Sequence, residues 1–125
     1  MTGARVLVVD DDATIRRSIA TALGRAGFEV TTAEDAVPAM QLVEAFELVV
    51  VDYNMATATG ADVVRHFKTR FGNSVYCVVL SGEDDEELRA HCHDAGADVV
   101  LLKPALPTEL RRTLTAGLTA IRAAA

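Results

Sequence analysis

Five short apolar runs rich in β-branched residues, each followed by a stretch of helical periodicity, constrain this chain more than any other feature of its sequence. The runs are Arg5 to Val9, Phe28 to Thr32, Leu48 to Val51, Val75 to Leu80 and Asp98 to Leu102, and each reads as a strand. Helical patterns cover Ala13 to Ala26, Asp35 to Ala45, Ala61 to Arg70, Asp84 to Ala95 and Thr108 to Ala123. This alternation predicts an α/β fold, (βα)5, built on a five-stranded parallel sheet. Four of the runs are nearly continuously apolar, as strands covered on both faces are. Phe28 to Thr32 is more polar and belongs at a sheet edge.

The helix boundaries are signposted. Gly27 and Gly96 follow Ala26 and Ala95 where a left-handed cap would end a helix, Asp12 and Asp35 stand where N-caps would, and Pro38 falls in the first turn of the second helix. Ile19, Leu23 and Ala26 form one stripe, and Leu110, Leu114, Leu118 and Ile121 another, at spacings of three and four; both predict core. The 125 residues suit one domain, 1–125, whose core buries about two thirds of the unfolded surface without staples. Two cysteines with no short Cys-x-x-Cys spacing argue against a disulfide scaffold or a zinc ribbon. The N-terminus shows no charged segment followed by an apolar one, and no apolar run approaches the ~18 residues of a membrane helix. The expectation is a cytoplasmic protein with no membrane partner. A net charge of −6 argues against nucleic acid as the primary partner, because phosphate-backbone binding needs basic stripes.

In open parallel sheets the site forms beyond the carboxyl ends of the strands, where strand order reverses. The first run ends in Asp10, Asp11 and Asp12, the third in Asp52, the fourth in Ser81-Gly82 and the fifth in Lys103-Pro104. Carboxylates gathered on one sheet edge repel one another, and a divalent cation with Lys103 nearby would offset that charge; oxygen ligands point to Mg²⁺. One carboxylate could then attack a phosphoryl group while the cation, Lys103 and the Ser81 hydroxyl neutralise charge developing on its oxygens. Any single acid could be a helix cap or a solvated turn, but four strand ends agreeing is hard to explain that way.

These residues resemble, over essentially the whole chain, the receiver domain of two-component response regulators, in particular the single-domain chemotaxis-type receivers. The resemblance implies the flavodoxin-like strand order 2-1-3-4-5. VLVVDDD looks like the family's first strand and acidic pair, which makes Asp10 (through water) and Asp11 ligands of Mg²⁺, with Mn²⁺ as a substitute. LVVVDYNMATATG resembles the phosphorylation strand and loop, which implies Asp52 as phosphoacceptor and metal ligand, Asn54 as the donor of a backbone carbonyl to the metal, and Gly60 as the loop glycine. VVLSGE matches the hydroxyl segment at Ser81, and LLKPA the Lys-Pro segment at Lys103 and Pro104, whose bond is cis in the family. Asn54 and Glu83 stand where they would modulate turnover of the phosphorylated form. Three positions depart from the family pattern. Ala56 replaces a loop proline and implies a looser loop, Val100 stands where a switching aromatic is common, and Ala105 replaces a frequent Phe. Val100 and Pro104 then belong to the switched face. Ile15, one turn nearer the acids than the core stripe, either packs locally or meets the phosphodonor.

The implied function is a signalling phosphoacceptor that catalyses only its own phosphotransfer and dephosphorylation. Its partners are a histidine kinase or histidine phosphotransfer protein and an unknown downstream protein; with no effector segment after Ile121, output is expected through protein contacts or from an excised domain. A phosphatase of the haloacid-dehalogenase type competes, because Asp10-Asp11-Asp12-Ala13-Thr14 also fits its nucleophile signature, with Asp10 attacking. Glu109 is the one acid after Lys103, which leaves no downstream metal pair for that chemistry. A phosphorylation-independent pseudo-receiver is disfavoured by the full set of reactive groups, and a dinucleotide site by the lack of Gly-x-Gly-x-x-Gly after the first run. The tract His91-Cys92-His93 is a weak metal signal, since residues two apart on a helix diverge. Cys77 reads as a small buried hydrophobe, and Arg65, His66, Lys68 and Arg70 as a solvated basic face.

Overall fold

The computed structural model describes residues 3–124. In chain order it comprises β1 (Arg5–Val9), α1 (Ala13–Arg25), β2 (Glu29–Ala33), α2 (Ala36–Met40), β3 (Leu48–Asp52), α3 (Gly60–Phe71), a 3₁₀ turn (Gly72–Ser74), β4 (Tyr76–Ser81), α4 (Glu86–Ala95), β5 (Val99–Leu102) and α5 (Pro107–Ala123). All strand pairs are parallel and the order is β2-β1-β3-β4-β5, the doubly wound, flavodoxin-like arrangement. The apolar runs are continuous because each central strand feeds two cores. Leu7, Val9, Val49, Val51, Cys77 and Val79 face the layer of α2, α3 and α4. Val6, Val8, Leu48, Val50, Val78 and Leu80 face α1 and α5, where Leu23, Leu110, Leu114 and Leu118 complete the second core. Fully burying one such side chain is worth about 1.5–3 kcal/mol, so register slips on the central strands are strongly disfavoured.

The caps fall where the sequence places them. Asp12 accepts from the N–H groups of Thr14 and Ile15, Asp35 accepts from Ala36, and Gly27 and Gly96 take φ of 99° and 109°. The Lys103–Pro104 bond is cis. Two expectations about the elements need correction. The second helix stops at Met40 instead of reaching Ala45. Phe46 is drawn into the core edge-on to Phe67, with the Arg5 guanidinium over its ring; the chain must leave the helix early to deliver it, and Val43 is left exposed. The last strand is apolar in sequence but half-exposed, because β5 is the second sheet edge, and Leu102 is 52% exposed.

Lys68 also leaves the solvated face assigned to it. Its ammonium donates to the Val75 carbonyl at 2.7 Å and pairs with Asp98 at 2.9 Å, and Asp98 in turn accepts from the Cys77 N–H. A lysine thus pins α3 to the starts of β4 and β5. Cys77 is fully buried, and burial pushes its thiol up to about 12, so it behaves as the expected small hydrophobe. No helix among the described residues is long and apolar enough to cross a membrane.

Helix α5 lies against the foot of β4 at Gly117, where an added Cβ would sit 2.3 Å from the Tyr76 ring. Gly117→Ala is therefore expected to destabilise the fold by about 1–2 kcal/mol, the strain of overpacking outweighing the better helix propensity of alanine. Urea unfolding measures this, and a variant as stable as the wild type would contradict such close packing.

Candidate functional site

The carboxyl edge of the sheet collects the side chains that the sequence places at strand ends. Asp10 follows β1, Asp52 ends β3, Ser81 ends β4 and Lys103 follows β5. Asp10, Asp52 and Ser81 are the buried polar residues of the described chain, at 1%, 6% and 1% exposure. The Lys103 ammonium lies 2.8 Å from Asp52 Oδ1 and 3.7 Å from Asp10 Oδ2. Asp10 Oδ1 accepts from the Asp12 N–H, whereas Oδ2 is buried without a hydrogen-bond partner, since the lysine is beyond bonding distance. Burial raises the Asp10 pKa, and the charges of Asp52 and Asp11 add to the rise against the opposing Asp12 N–H and Lys103. Burial pulls the Lys103 pKa down, but its hydrogen bond and charge contact with Asp52, helped by Asp10, outweigh this and leave it raised. The lysine stays charged at neutral pH.

Carboxylate oxygens of Asp10, Asp11 and Asp52 lie within 4.8 Å of one another. Three carboxylates and one ammonium leave two negative charges, which a divalent cation would balance. The orphaned Asp10 Oδ2 and the all-oxygen donor set fit a hard cation such as Mg²⁺. Asp12 stands apart from this set, because its carboxylate caps α1. Asp10→Asn is expected to raise the melting temperature of the metal-free protein. A carboxyl whose folded pKa is raised costs stability at every pH above that pKa, and the amide removes the cost while keeping an acceptor for Asp12. The same variant loses the thermal protection that added Mg²⁺ gives the wild type. Melting curves with and without Mg²⁺ check both, and a lower metal-free melting temperature would contradict the electrostatic reading.

The loop after β3 is closed by backbone contacts. The Gly60 N–H donates to the Tyr53 carbonyl at 2.8 Å, and Asn54 pairs with Thr59 in an antiparallel bridge. A Cβ on Gly60 would lie 2.7 Å from the Asp52 carbonyl oxygen, so glycine is required where α3 meets the end of β3. Thr59 and Asp62 form a reciprocal capping box, and the Thr57 N–H reaches Asp35. Ala56 therefore does not leave the loop untethered. Ser81 Oγ donates to the Glu83 carbonyl at 3.0 Å and accepts from the Glu83 N–H at 3.1 Å, so the hydroxyl is held by its own loop. The side chains of Asn54 and Glu83 are exposed and border a cavity of about 360 Å³ between the loop after β3 and the first turns of α4.

The residues expected at a partner face are not all in one place. Half-buried Ile15 and exposed Pro104 line a groove of about 300 Å³ between α1 and the start of α5, next to Lys103. Val100 lies on β5, packed against the other core. Sequence reasoning missed Arg16, whose guanidinium donates to the Asp10 carbonyl at 2.8 Å and braces the acidic turn; six residues of separation carries no periodic signal. It also missed the Thr59 capping box, which Thr59-x-x-Asp62 announces. The tract at 91–93 diverges as expected: His91 meets Tyr53, Cys92 is buried, and His93 reaches the Ala97 carbonyl.

A doubly wound sheet with buried acids and a lysine at its carboxyl edge defines a flavodoxin-like domain whose site lies at the strand ends. Within that class, the response regulator receiver domain family matches residues 6–115, and the chain belongs to it. Receiver domains are signalling phosphoacceptors that bind Mg²⁺ at their acidic pocket. The transcriptional regulatory protein PrrA of Mycobacterium tuberculosis is 37% identical over 112 residues, 88% of this chain and 48% of PrrA. The chain thus spans about half the length of the curated relatives it matches. The chemotaxis response regulator CheY4 of Vibrio cholerae superposes with a TM-score of 0.83 at 31% identity, covering 93% of this chain and 99% of CheY4. A CheY-like receiver domain protein from Methanospirillum hungatei shares the fold, with a TM-score of 0.90 at 24% identity over 98% of both chains.

Proposed function

We propose that residues 1–125 act as one cytoplasmic receiver domain that takes a phosphoryl group from a phosphohistidine onto Asp52 and thereby switches contacts with a downstream protein. The observation that carries this reading is the Lys103 ammonium 2.8 Å from Asp52 Oδ1, with the buried, unsatisfied Asp10 alongside. A carboxylate oxygen of Asp52 attacks phosphorus, the P–N bond breaks, and its electron pair stays with the donor imidazole, which takes up a proton. Lys103 holds positive charge against the transferred phosphoryl oxygens, and Ser81 exchanges the Glu83 carbonyl for one of them. Asp10 (through water), Asp11, Asp52 and the Asn54 carbonyl would hold Mg²⁺ or Mn²⁺. The cation, when bound, supplies further neutralisation of those oxygens. Lys103 is closer to Asp52 than to Asp10, which favours Asp52 over Asp10 as nucleophile and this reading over a phosphatase. The groove at Ile15 and Pro104 opens beside Lys103, where it suits the helix of a histidine kinase or histidine phosphotransfer protein delivering its phosphohistidine to the pocket. Phosphotransfer from a panel of purified, phosphorylated histidine kinases tests the proposal. Rapid Mg²⁺-dependent transfer from one of them is expected, and transfer from none would count against it.

Lifetime follows from the mouth of the pocket. Asn54 and Glu83 flank the route by which water reaches Asp52 and can orient it, so the phosphorylated wild type is expected to decay within about minutes. The Asn54→Ala, Glu83→Ala double variant should decay several-fold more slowly. Loss of label in the presence of Mg²⁺ measures both, and an hours-long wild-type half-life would contradict the assignment.

A further inference from the structure

Tyr53 and His91 lie 38 residues apart in sequence, and the function proposed above uses neither. The Tyr53 hydroxyl and His91 Nδ1 are 2.9 Å apart, with the two rings nearly perpendicular. The backbone of Tyr53 is fixed on both sides: its N–H donates to the Leu80 carbonyl at 2.9 Å, and its carbonyl accepts from Gly60. From that fixed backbone, beside Asp52, its side chain reaches His91 on α4. Helix α4 follows Ser81 through the exposed segment 82–85, and Ser81 Oγ is tied to Glu83 within it. Tyr53 and His91 also wall the 360 Å³ cavity, together with Asn54, Glu83, Asp85 and Leu88. That cavity is space into which segment 82–85 and the first turn of α4 can move.

We infer that the Tyr53–His91 hydrogen bond is a latch that holds α4 in its unphosphorylated position and opens when Asp52 is phosphorylated. The inference rests on the function proposed above. For Ser81 to reach the new phosphoryl oxygens it must release Glu83, and the segment that follows carries the start of α4 with it. His91 then moves relative to a Tyr53 that the sheet keeps in place. An interaction made in one of two states opposes any ligand that selects the other, by the amount the interaction is worth. Tyr53 and His91 are positioning residues: they touch no reacting atom and set the equilibrium between the two arrangements.

Beryllofluoride with Mg²⁺, a mimic of the phosphoryl group, is the probe, with binding followed by ¹⁹F NMR on the wild type, Tyr53→Phe, His91→Phe and the double variant. Each single variant keeps the ring contact and loses the hydrogen bond, and each is expected to bind about fivefold more tightly, the net worth of one such bond. The double variant should match the singles, because all three lack the same bond. The melting temperature should fall in the free variants and equal that of the wild type when beryllofluoride is bound, a split that a merely structural contact would not produce. Wild-type affinity in the singles, weaker binding, or additive effects in the double variant would overturn the latch while leaving the proposed function intact. A wild type that binds no beryllofluoride with Mg²⁺ would overturn the proposed function, and the latch with it.

Discussion

Asp52→Asn is expected to abolish covalent phosphorylation by acetyl phosphate with Mg²⁺, down to the detection limit of intact-protein mass spectrometry. The amide has the shape of the carboxylate and suits the same buried site at the end of β3, but it offers no anionic oxygen to attack phosphorus. The fold should survive, because Lys103 keeps Asp10 within ion-pair distance, and an unchanged circular dichroism spectrum would establish that. A second acid taking up the phosphoryl group in this variant would show that the pocket does not select one nucleophile. Wild-type protein stripped of divalent cations should also fail to label, since the clustered carboxylates repel an incoming anion.

The next largest effect is expected from Lys103→Ala. Removing the ammonium leaves Asp52 and Asp10 facing each other with no cation, in a site where both are buried. A loss of about 1–3 kcal/mol is expected, less than for a fully enclosed pair because the lysine is partly open to solvent. The phosphorylation rate should fall about 10²–10³-fold, the usual effect of deleting one group that meets developing charge. Mg²⁺ binding should be retained, as a competing cation has been removed. The sign of the pH dependence follows from Lys103, whose folded pKa is raised above 10.5. A cation with a raised pKa contributes its full stabilisation below the unfolded value and loses it as pH rises through the folded one. The stability gap between wild type and variant should therefore hold through neutral pH and narrow above about pH 10.5. Urea melts at pH 7 and in the alkaline range measure it, and a gap that narrows toward neutral pH would contradict the charge assignment.

Much of the architecture is legible because its causes are local. A strand that feeds two cores must be apolar at consecutive positions, and β1, β3 and β4 are written that way, down to the polar residue with which each leaves the core: Asp10, Asp52 and Ser81. The acidic pocket is readable for the same reason, since strand ends in a parallel sheet share one edge. What cannot be read locally depends on partners distant in sequence. Helix α2 stops early because Phe46 is needed against Phe67. Lys68 looks like any surface lysine until Asp98 and the Val75 carbonyl are brought beneath it. The apolar sequence of β5 hides its position at an edge, which only the strand order reveals. The Tyr53–His91 contact joins two elements whose spacing in the chain says nothing about their meeting.

Whether Asp52 is the residue that receives the phosphoryl group is decided by chemical mapping of the acyl phosphate. Protein phosphorylated in the presence of Mg²⁺ is reduced with borohydride, which converts an aspartyl phosphate to homoserine, then digested and sequenced by tandem mass spectrometry. Homoserine is expected at position 52 and nowhere else. Homoserine at position 10, or an unmodified position 52 in protein that carries the label, would contradict the assignment of Asp52 as phosphoacceptor.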